Sequence, residues 1–236
     1  MNPMKSASAI ATVLFALMLS TSASSAAVNA LTEEQVGKGW RLLFNGKNLD
    51  GWRPYKKEAK IGDAWRIEDG ILTKTSGERG GDIMTVETFG DFDLNWEWKI
   101  PEGANNGIKY FITEERNAVI GHEYQMLDDA KFQKLKPKSL TASFYNVLPA
   151  AADKPVLPAG AWNHSRIFVL GNTVEHWLNG KMVLQYELGS EAVLKAVQDS
   201  KFKPVAGFGT KVRGHILLTD HKDGCQFKNI RIREFK

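Results

Sequence analysis

Residues 92–100 constrain the fold more than any other part of the chain. Apolar side chains occupy every even position of this stretch, and polar side chains occupy the odd positions between them. Successive side chains of a strand point to opposite faces, so this period of two predicts a strand with one face on a core. A helix would scatter the same residues around its axis. Pro101 and Gly103 then end the strand.

Short polar turns between apolar runs recur along the chain. Asp69-Gly70 and Asn179-Gly180 each separate two strand-like stretches, and such pairs accept the positive φ that tight hairpin turns require. The hairpin and strand patterns indicate strands over residues 65–67, 71–73, 166–170, 173–178, 182–186, 214–220 and 226–235.

The strand count decides the fold class. The patterns predict about ten to twelve strands and no β-α-β alternation. One short helix is expected at 191–199 with Ser190 as its N-cap, and residues 31–40 look like a linker or a helical turn. We therefore predict an all-β chain, with two antiparallel sheets packed as a sandwich and residues 31–236 forming a single domain.

The first thirty residues have the pattern of a secretory signal peptide. Lys5 supplies a positive start, residues 9–19 are apolar, and residues 20–27 are small and polar, with cleavage expected near 26–30. The apolar run is shorter than the about 20 residues of a membrane span, so no anchor is expected after cleavage. We predict a periplasmic or secreted protein. The single cysteine, Cys225, leaves no internal disulfide.

Charge and composition narrow the range of partners. The formal net charge is +4, and the basic residues are scattered rather than clustered, which argues against a nucleic-acid partner. Seven Trp residues are present. Most are expected in the core, but an indole face also suits stacking on a sugar ring.

Familiar catalytic signatures are absent or incomplete. The chain has no phosphate-binding glycine loop and no Gly-x-Ser-x-Gly elbow. Glu123 and Asp128 keep the outer spacing of the Glu-x-Asp-x-x-Glu motif of laminarinase-type glycosidases, but Gln125 occupies the place of the middle acid. This argues against an ordinary retaining glycosidase, which needs two carboxyl groups flanking the sugar bond.

An ordered set of motifs over residues 40–236 resembles the 3-keto-disaccharide hydrolase family. It opens with Leu-Phe-Asn-Gly-Lys-Asn-Leu-Asp-Gly-Trp at 43–52. The further matching segments are 65–72, 105–111, 123–128, 160–163, 175–180, 214–221 and 227–230. The resemblance implies a concanavalin A-like jelly-roll sandwich and cleavage of glycosides already oxidised at C3, by net hydrolysis or by 1,2-elimination with a hydratase step.

A ketone at C3 defines what such a site must contain. It acidifies the hydrogen on C2, so loss of that proton gives an enolate that expels the C1 substituent, and water then adds back. The route needs a base near C2, a positive group or metal near the C3 oxygen, and an acid near the leaving oxygen.

Strand alternation supplies candidates for these roles. Tyr124 and Met126 suit the core, so Glu123 and Gln125 are expected on the opposite face. The same argument turns Lys109 outward. We predict that Glu123 and His221 divide the base and acid roles and that Lys109 stabilises the enolate oxygen; alternatively, these are solvated residues of an exposed sheet face or turn.

Five further residues are candidate substrate-binding groups. Gln125, Tyr145 and His176 are placed to hold sugar hydroxyls, although His176 is in phase with apolar neighbours and also suits the core. Asp128 is a further candidate, and the alternative role for it is the cap of a loop. Asp220 either orients the following histidine or belongs to a turn.

Cofactor and rival functions remain open from sequence alone. Glu123, Asp220 and His221 form a candidate divalent-cation set, because a cation stabilises an enolate. The expected partner is a small carbohydrate substrate. The alternatives are a non-catalytic lectin-like module that binds glycans on the same face, and a structural envelope protein.

Overall fold

The computed structural model describes residues 27–56, 58–116 and 118–235. Most of the predicted signal peptide, residues 1–26, lies outside these ranges. The described elements, in chain order, are α1 (Glu33–Gly37), β1 (Trp40–Leu42), β2 (Trp52–Pro54), β3 (Trp65–Glu68), β4 (Ile71–Lys74), β5 (Ile83–Thr85), β6 (Phe92–Lys99), β7 (Asn105–Ile112), β8 (His122–Leu127), β9 (Asn163–Leu170), β10 (Thr173–Leu178), β11 (Lys181–Glu187), α2 (Glu191–Gln198), β12 (His215–Leu218) and β13 (Cys225–Glu234).

The described strands form two antiparallel sheets. Sheet A has eight strands in the order β11-β10-β9-β6-β13-β4-β3, with β1 also paired to β13, and sheet B has five in the order β2-β5-β12-β7-β8. The chain is therefore all-β, and the predicted sandwich of two antiparallel sheets is confirmed. Neither helix of the described residues is long and apolar enough to cross a membrane.

The helix content differs from the expected single helix. The predicted helix is present as α2, with the Ser190 side chain accepting the Val193 N–H. The described residues hold a second, five-residue helix, α1, in the segment expected to form a linker or a helical turn. Thr32 and Gln35 form a capping box at its start, and this pair of side chain–backbone bonds stabilises an otherwise marginal helix.

The alternating stretch forms the central strand β6. Leu94, Trp96 and Trp98 are fully buried between the sheets. The Trp96 ring meets the Tyr124 ring of sheet B edge to face, with centroids 4.9 Å apart, a preferred geometry for aromatic pairs. The even-numbered apolar side chains of β6 thus pack against the inner face of sheet B.

Two histidines lie inside the sandwich with their tautomers fixed by backbone groups. The Gly209 N–H donates to Nε2 of His122 at 3.2 Å, so His122 carries its proton on Nδ1. His176 Nδ1 lies 2.9 Å from the Ala142 carbonyl oxygen. A carbonyl only accepts, so the proton of His176 is also on Nδ1.

Two tyrosines join these histidines into one directed hydrogen-bond chain. His122 Nδ1 lies 3.2 Å from the Tyr186 hydroxyl, which lies 2.6 Å from the Tyr110 hydroxyl, which lies 2.8 Å from His176 Nε2. With the tautomers fixed, each group donates to the next in the order His122, Tyr186, Tyr110, His176. This hydrogen-bond chain provides partners for the polar atoms of four buried side chains.

The stability of the protein should fall as the pH drops below about 6.5. Burial lowers the pKa of His176 to about 4 and lowers that of His122 well below its ordinary value. Below about pH 6.5 these two histidines therefore bind protons in the unfolded chain but stay neutral in the folded protein. Urea unfolding measures the free energy of unfolding at pH 7.5 and at pH 5.0. Between these two pH values the wild type should lose about 2 kcal/mol more of this free energy than His176→Gln. Equal losses in both proteins would contradict this assignment.

Candidate active site

The register of sheet B brings outward-facing residues of four strands into rows. Met84, Leu217, Lys109 and Glu123 are successive cross-strand neighbours on β5, β12, β7 and β8. In the adjoining row, Gly107 of β7 pairs with Gln125. Gly107 has no side chain, and the Glu123 side chain lies in the space that a larger residue would fill. We call the outer surface of sheet B around Gly107, bordered by Lys109, Glu123 and Gln125, the sheet B hollow.

Glu123 leans across the floor of this hollow. Its side chain is only 5% exposed, and among the described residues its Oε1 atom has no hydrogen-bond partner. A Cβ atom placed on Gly107 would lie 2.5 Å from that oxygen. An unpartnered buried carboxylate oxygen is costly. It is therefore an acceptor held ready for a proton or for a ligand donor.

Lys109 and His221 are the two other residues to which the sequence analysis assigned catalytic roles. Lys109 is the direct cross-strand neighbour of Glu123, and its Nζ donates to the Val119 carbonyl oxygen at 3.1 Å. His221 Nε2 lies 3.7 Å from Glu123 Oε1, and its side chain is 40% exposed. The histidine reaches the hollow from the turn after β12, which ends at Leu218, and so occupies the solvent side.

Gln125 and Tyr145 also border the hollow. The Gln125 side chain is buried and donates from Nε2 to Asn105 Oδ1 at 3.0 Å. The Tyr145 N–H donates to the Glu123 carbonyl oxygen at 3.0 Å. Burial, and then the charge of Glu123, raise the pKa of the Tyr145 phenol. The phenol therefore keeps its proton and serves as a neutral donor.

Two residues that sequence reasoning missed complete the charge pattern. Asp82 accepts the Asp220 N–H at 2.7 Å. Burial raises the pKa of Asp82, while that hydrogen bond and the charges of Lys109 and His221 act in the opposite direction. Asp82 precedes the short strand β5 and follows a glycine pair, and such a position carries no sequence signal beyond a turn.

Lys201 is the second missed residue. Its Nζ lies 4.3 Å from the centroid of the Tyr145 ring, within the range of a cation–π contact. Burial lowers the pKa of Lys201, and the charge of Glu123 opposes this shift. Lys201 lies in the loop after α2, far along the chain from β8, so no local pattern could have placed it here.

Three candidate residues have structural partners instead. Asp128 accepts the Gly103 N–H at 2.8 Å and so caps a turn. His176 is fully buried in the hydrogen-bond chain between the sheets, which corrects its assignment as a sugar contact. Asp220 forms a buried ion pair with Lys74, at 3.0 Å, which supports the turn alternative for this residue rather than direct contact with a substrate.

The candidate cation set is not assembled. Among the described residues, no three or more His, Cys, Asp or Glu side chains are grouped as metal ligands would be. Glu123 and His221 are close, but the Asp220 carboxylate is engaged by Lys74 and by backbone N–H groups.

Two antiparallel sheets with ionisable side chains gathered around Glu123 define a β-sandwich protein with a candidate active site on one outer sheet face. More narrowly, the chain belongs to the family of 3-keto-alpha-glucoside-1,2-lyase-like domains, whose model matches residues 39–233. The resemblance drawn from the motifs is thereby confirmed.

Individual relatives agree with this membership. A 3-keto-disaccharide hydrolase of Bacteroides thetaiotaomicron is 32% identical over 252 residues, covering 92% of this chain and 86% of the relative. A crystal structure of a candidate glycosyl hydrolase from Parabacteroides distasonis has a TM-score of 0.79 and 31% identity, covering 89% of this chain and 100% of that one. A second such structure from the same organism has a TM-score of 0.66 and 29% identity, covering 83% of this chain and 99% of that one. The chain is therefore a glycoside-cleaving enzyme of this family.

Proposed function

We propose that the chain cleaves 3-keto-glycosides by proton abstraction at C2, elimination at C1 and rehydration. The observation that carries the proposal is the buried Oε1 of Glu123, which has no hydrogen-bond partner among the described residues and belongs to the residue paired across the strands with Lys109. A base next to a fixed positive charge is the pair that enolate formation requires.

Glu123 and Lys109 perform the first step of this route. Glu123 takes the C2 proton, and the electron pair of the C–H bond moves into the C2–C3 bond while negative charge develops on the C3 oxygen. The Lys109 ammonium stabilises that oxygen. Because Lys109 is already held by the Val119 carbonyl, little reorganisation is needed as the charge develops.

His221 acts at C1, on the solvent side of the hollow. The enolate expels the C1 substituent, and the imidazolium of His221 protonates the leaving oxygen. The neutral imidazole then takes a proton from the water that attacks C1. The acquired proton of Glu123 exchanges with solvent once the aglycone has left, and Glu123 then delivers a solvent-derived proton to C2. The net change is addition of one water across the glycosidic bond. A partly exposed histidine suits both the departure of the aglycone and the entry of water.

The remaining side chains of the hollow are proposed to hold the sugar. Gln125 and the neutral Tyr145 phenol offer hydrogen bonds to hydroxyl groups, and Lys201 adds a second positive charge near the enolate.

We also propose that the chain is exported to the periplasm or secreted, which the signal-like pattern of residues 1–30 supports.

The decisive experiment follows the C2 hydrogen. The purified chain is incubated with 3-keto-trehalose in D2O, with unoxidised trehalose as the control substrate. We expect release of glucose together with deuterium at C2 of the released 3-keto sugar and a transient 2-hydroxyglucal species; trehalose should remain intact. Release of 3-keto sugar that retains hydrogen at C2 would contradict the elimination route.

The geometry of the floor predicts the effect of Gly107→Ala. The added methyl would meet Glu123 Oε1 at 2.5 Å, so the carboxylate must move away from its place over β7. Because the displaced atom is the end of a flexible side chain, the free energy of unfolding should change by less than about 1 kcal/mol, whereas kcat should fall about 10- to 100-fold. Steady-state kinetics and urea unfolding measure the two effects, and unchanged kcat would place the reacting carboxylate elsewhere.

A further inference from the structure

A second cavity lies on the other side of the sandwich. It has a volume of about 500 Å³ and opens on the outer face of sheet A. Its lining includes none of Lys109, Glu123 or His221. A volume of this size is typical of small-molecule sites, and the chemistry of its lining indicates which ligand it would accept.

The floor of this cavity is a row of polar side chains in register. Arg66, Thr73, Gln226 and Lys99 are successive cross-strand neighbours on β3, β4, β13 and β6. With strands about 4.8 Å apart, the row is about 14 Å long. Gln226 Nε2 donates to Thr73 Oγ1 at 3.3 Å, which leaves the Gln226 carbonyl oxygen and the Thr73 hydroxyl proton available to a ligand.

The charges around the cavity nearly cancel. Arg66 is bound to both carboxylate oxygens of Glu78, at 3.2 and 3.1 Å, and the buried Lys74 is neutralised by Asp220. The lining then retains one cation, Lys99, and one anion, Glu68. A cavity without net charge favours an uncharged ligand over a phosphate or a carboxylate.

The other lining residues combine carbon surface with small polar groups. Ile100 and Pro101 present apolar atoms, and Thr75 and Ser76 present hydroxyl groups. A sugar has hydroxyls around its rim and an apolar C–H face, so it needs both kinds of surface. At the Lys99 end of the row, the Lys99 Nζ lies 5.0 Å from the centroid of the Trp162 ring.

We infer that the sheet A cavity is a second carbohydrate-binding site, which takes an uncharged mono- or disaccharide in contact with Thr73, Gln226 and Lys99. This site does not take part in the reaction at the sheet B hollow. It would hold the enzyme on a saccharide while the reaction proceeds on the opposite face.

The test uses trehalose as the probe and Glu123→Gln as the background, so that binding is separated from turnover. Two-dimensional NMR of the full chain should show saturable shifts at residues 73, 99 and 226 at millimolar trehalose. Thr73→Val with Gln226→Leu should weaken this binding at least tenfold, and in the Glu123-containing chain the same pair should leave kcat and KM for 3-keto-trehalose unchanged. Both positions face outward, and a melting curve checks that the variant is folded.

Three results would overturn the inference. These are the absence of saturable shifts at the three positions, shifts confined to residues around Lys109, and binding of inorganic phosphate in the cavity more tightly than trehalose. None of them bears on the elimination route, because that proposal is tested by the fate of the C2 hydrogen. Conversely, a failed deuterium experiment would leave the trehalose titration interpretable.

Discussion

Glu123→Gln is expected to lower kcat for a 3-keto-glycoside by about 10²- to 10⁴-fold, the range of a lost general base. The amide keeps the size of the side chain but does not take up the C2 proton. The substitution also replaces a buried carboxylate, whose Oε1 atom has no hydrogen-bond partner among the described residues, by a neutral amide. Folding should therefore be retained. Deuterium exchange at C2 should be lost together with product release, because both depend on the same proton transfer.

A matched control separates this effect from loss of any carboxylate. Glu97 on the outer face of sheet A is partly buried and paired with Lys228 at 3.2 Å, away from the hollow. Glu97→Gln should leave kcat within about twofold, because it alters no group that faces the hollow. Retention of wild-type kcat by Glu123→Gln would remove the carboxylate from the mechanism, whatever the control shows.

Lys74→Met is expected to cost about 3–5 kcal/mol of unfolding free energy, because it leaves a buried carboxylate without its counter-ion. The Lys74 side chain is fully buried, and that of Asp220 is 4% exposed. Lys74 also donates to the carbonyl oxygens of Thr75, at 2.9 Å, and Glu78, at 2.6 Å. The variant removes all three contacts at once.

The Asp220 carboxylate shows why the pair matters for the site. It accepts the N–H groups of Gly80 and Gly81 at 2.8 Å each. Burial raises its pKa, but the bonds from Lys74 and the backbone outweigh this and lower the pKa below the ordinary value. Since His221 follows directly, loosening this turn should also lower kcat.

An exposed ion pair provides the comparison for Lys74→Met. Lys181 and Asp153 are in contact at 2.6 Å, but their side chains are 42% and 79% exposed. Lys181→Met should change stability by less than about 1 kcal/mol. Urea unfolding of both variants at pH 7.5 measures the contrast, and equal costs would show that the buried pair has no special role.

Strand alternation was sufficient to predict the fold and part of the site. Side chains two apart share a face whatever lies elsewhere in the chain, so Tyr124 and Met126 in the core fix Glu123 outward. Lys109 follows in the same way from Ile108 and Tyr110. These inferences needed only the local sequence and a sheet with one buried face.

The parts of the site and core that the sequence did not predict depend on contacts between distant segments of the chain. Asp82 and Lys201 reach the hollow from loops, where no periodicity relates them to β8. His176 has the parity of Val174 and Leu178, but only the structure shows which polar groups make its burial tolerable. Lys74 has inward parity too, and its distant partner Asp220 could not be identified from spacing alone.

The directed hydrogen-bond chain in the core has a consequence for how substrate enters. Gly209, which donates to His122, belongs to the same loop as Lys201. Swinging that loop outward as a lid would strip a buried imidazole of its partner and expose the aromatic interior behind it. Outward movement of the wall beside Tyr145 is therefore disfavoured. We expect saccharides to reach Glu123 without displacing this loop, with association rates that depend little on loop motion.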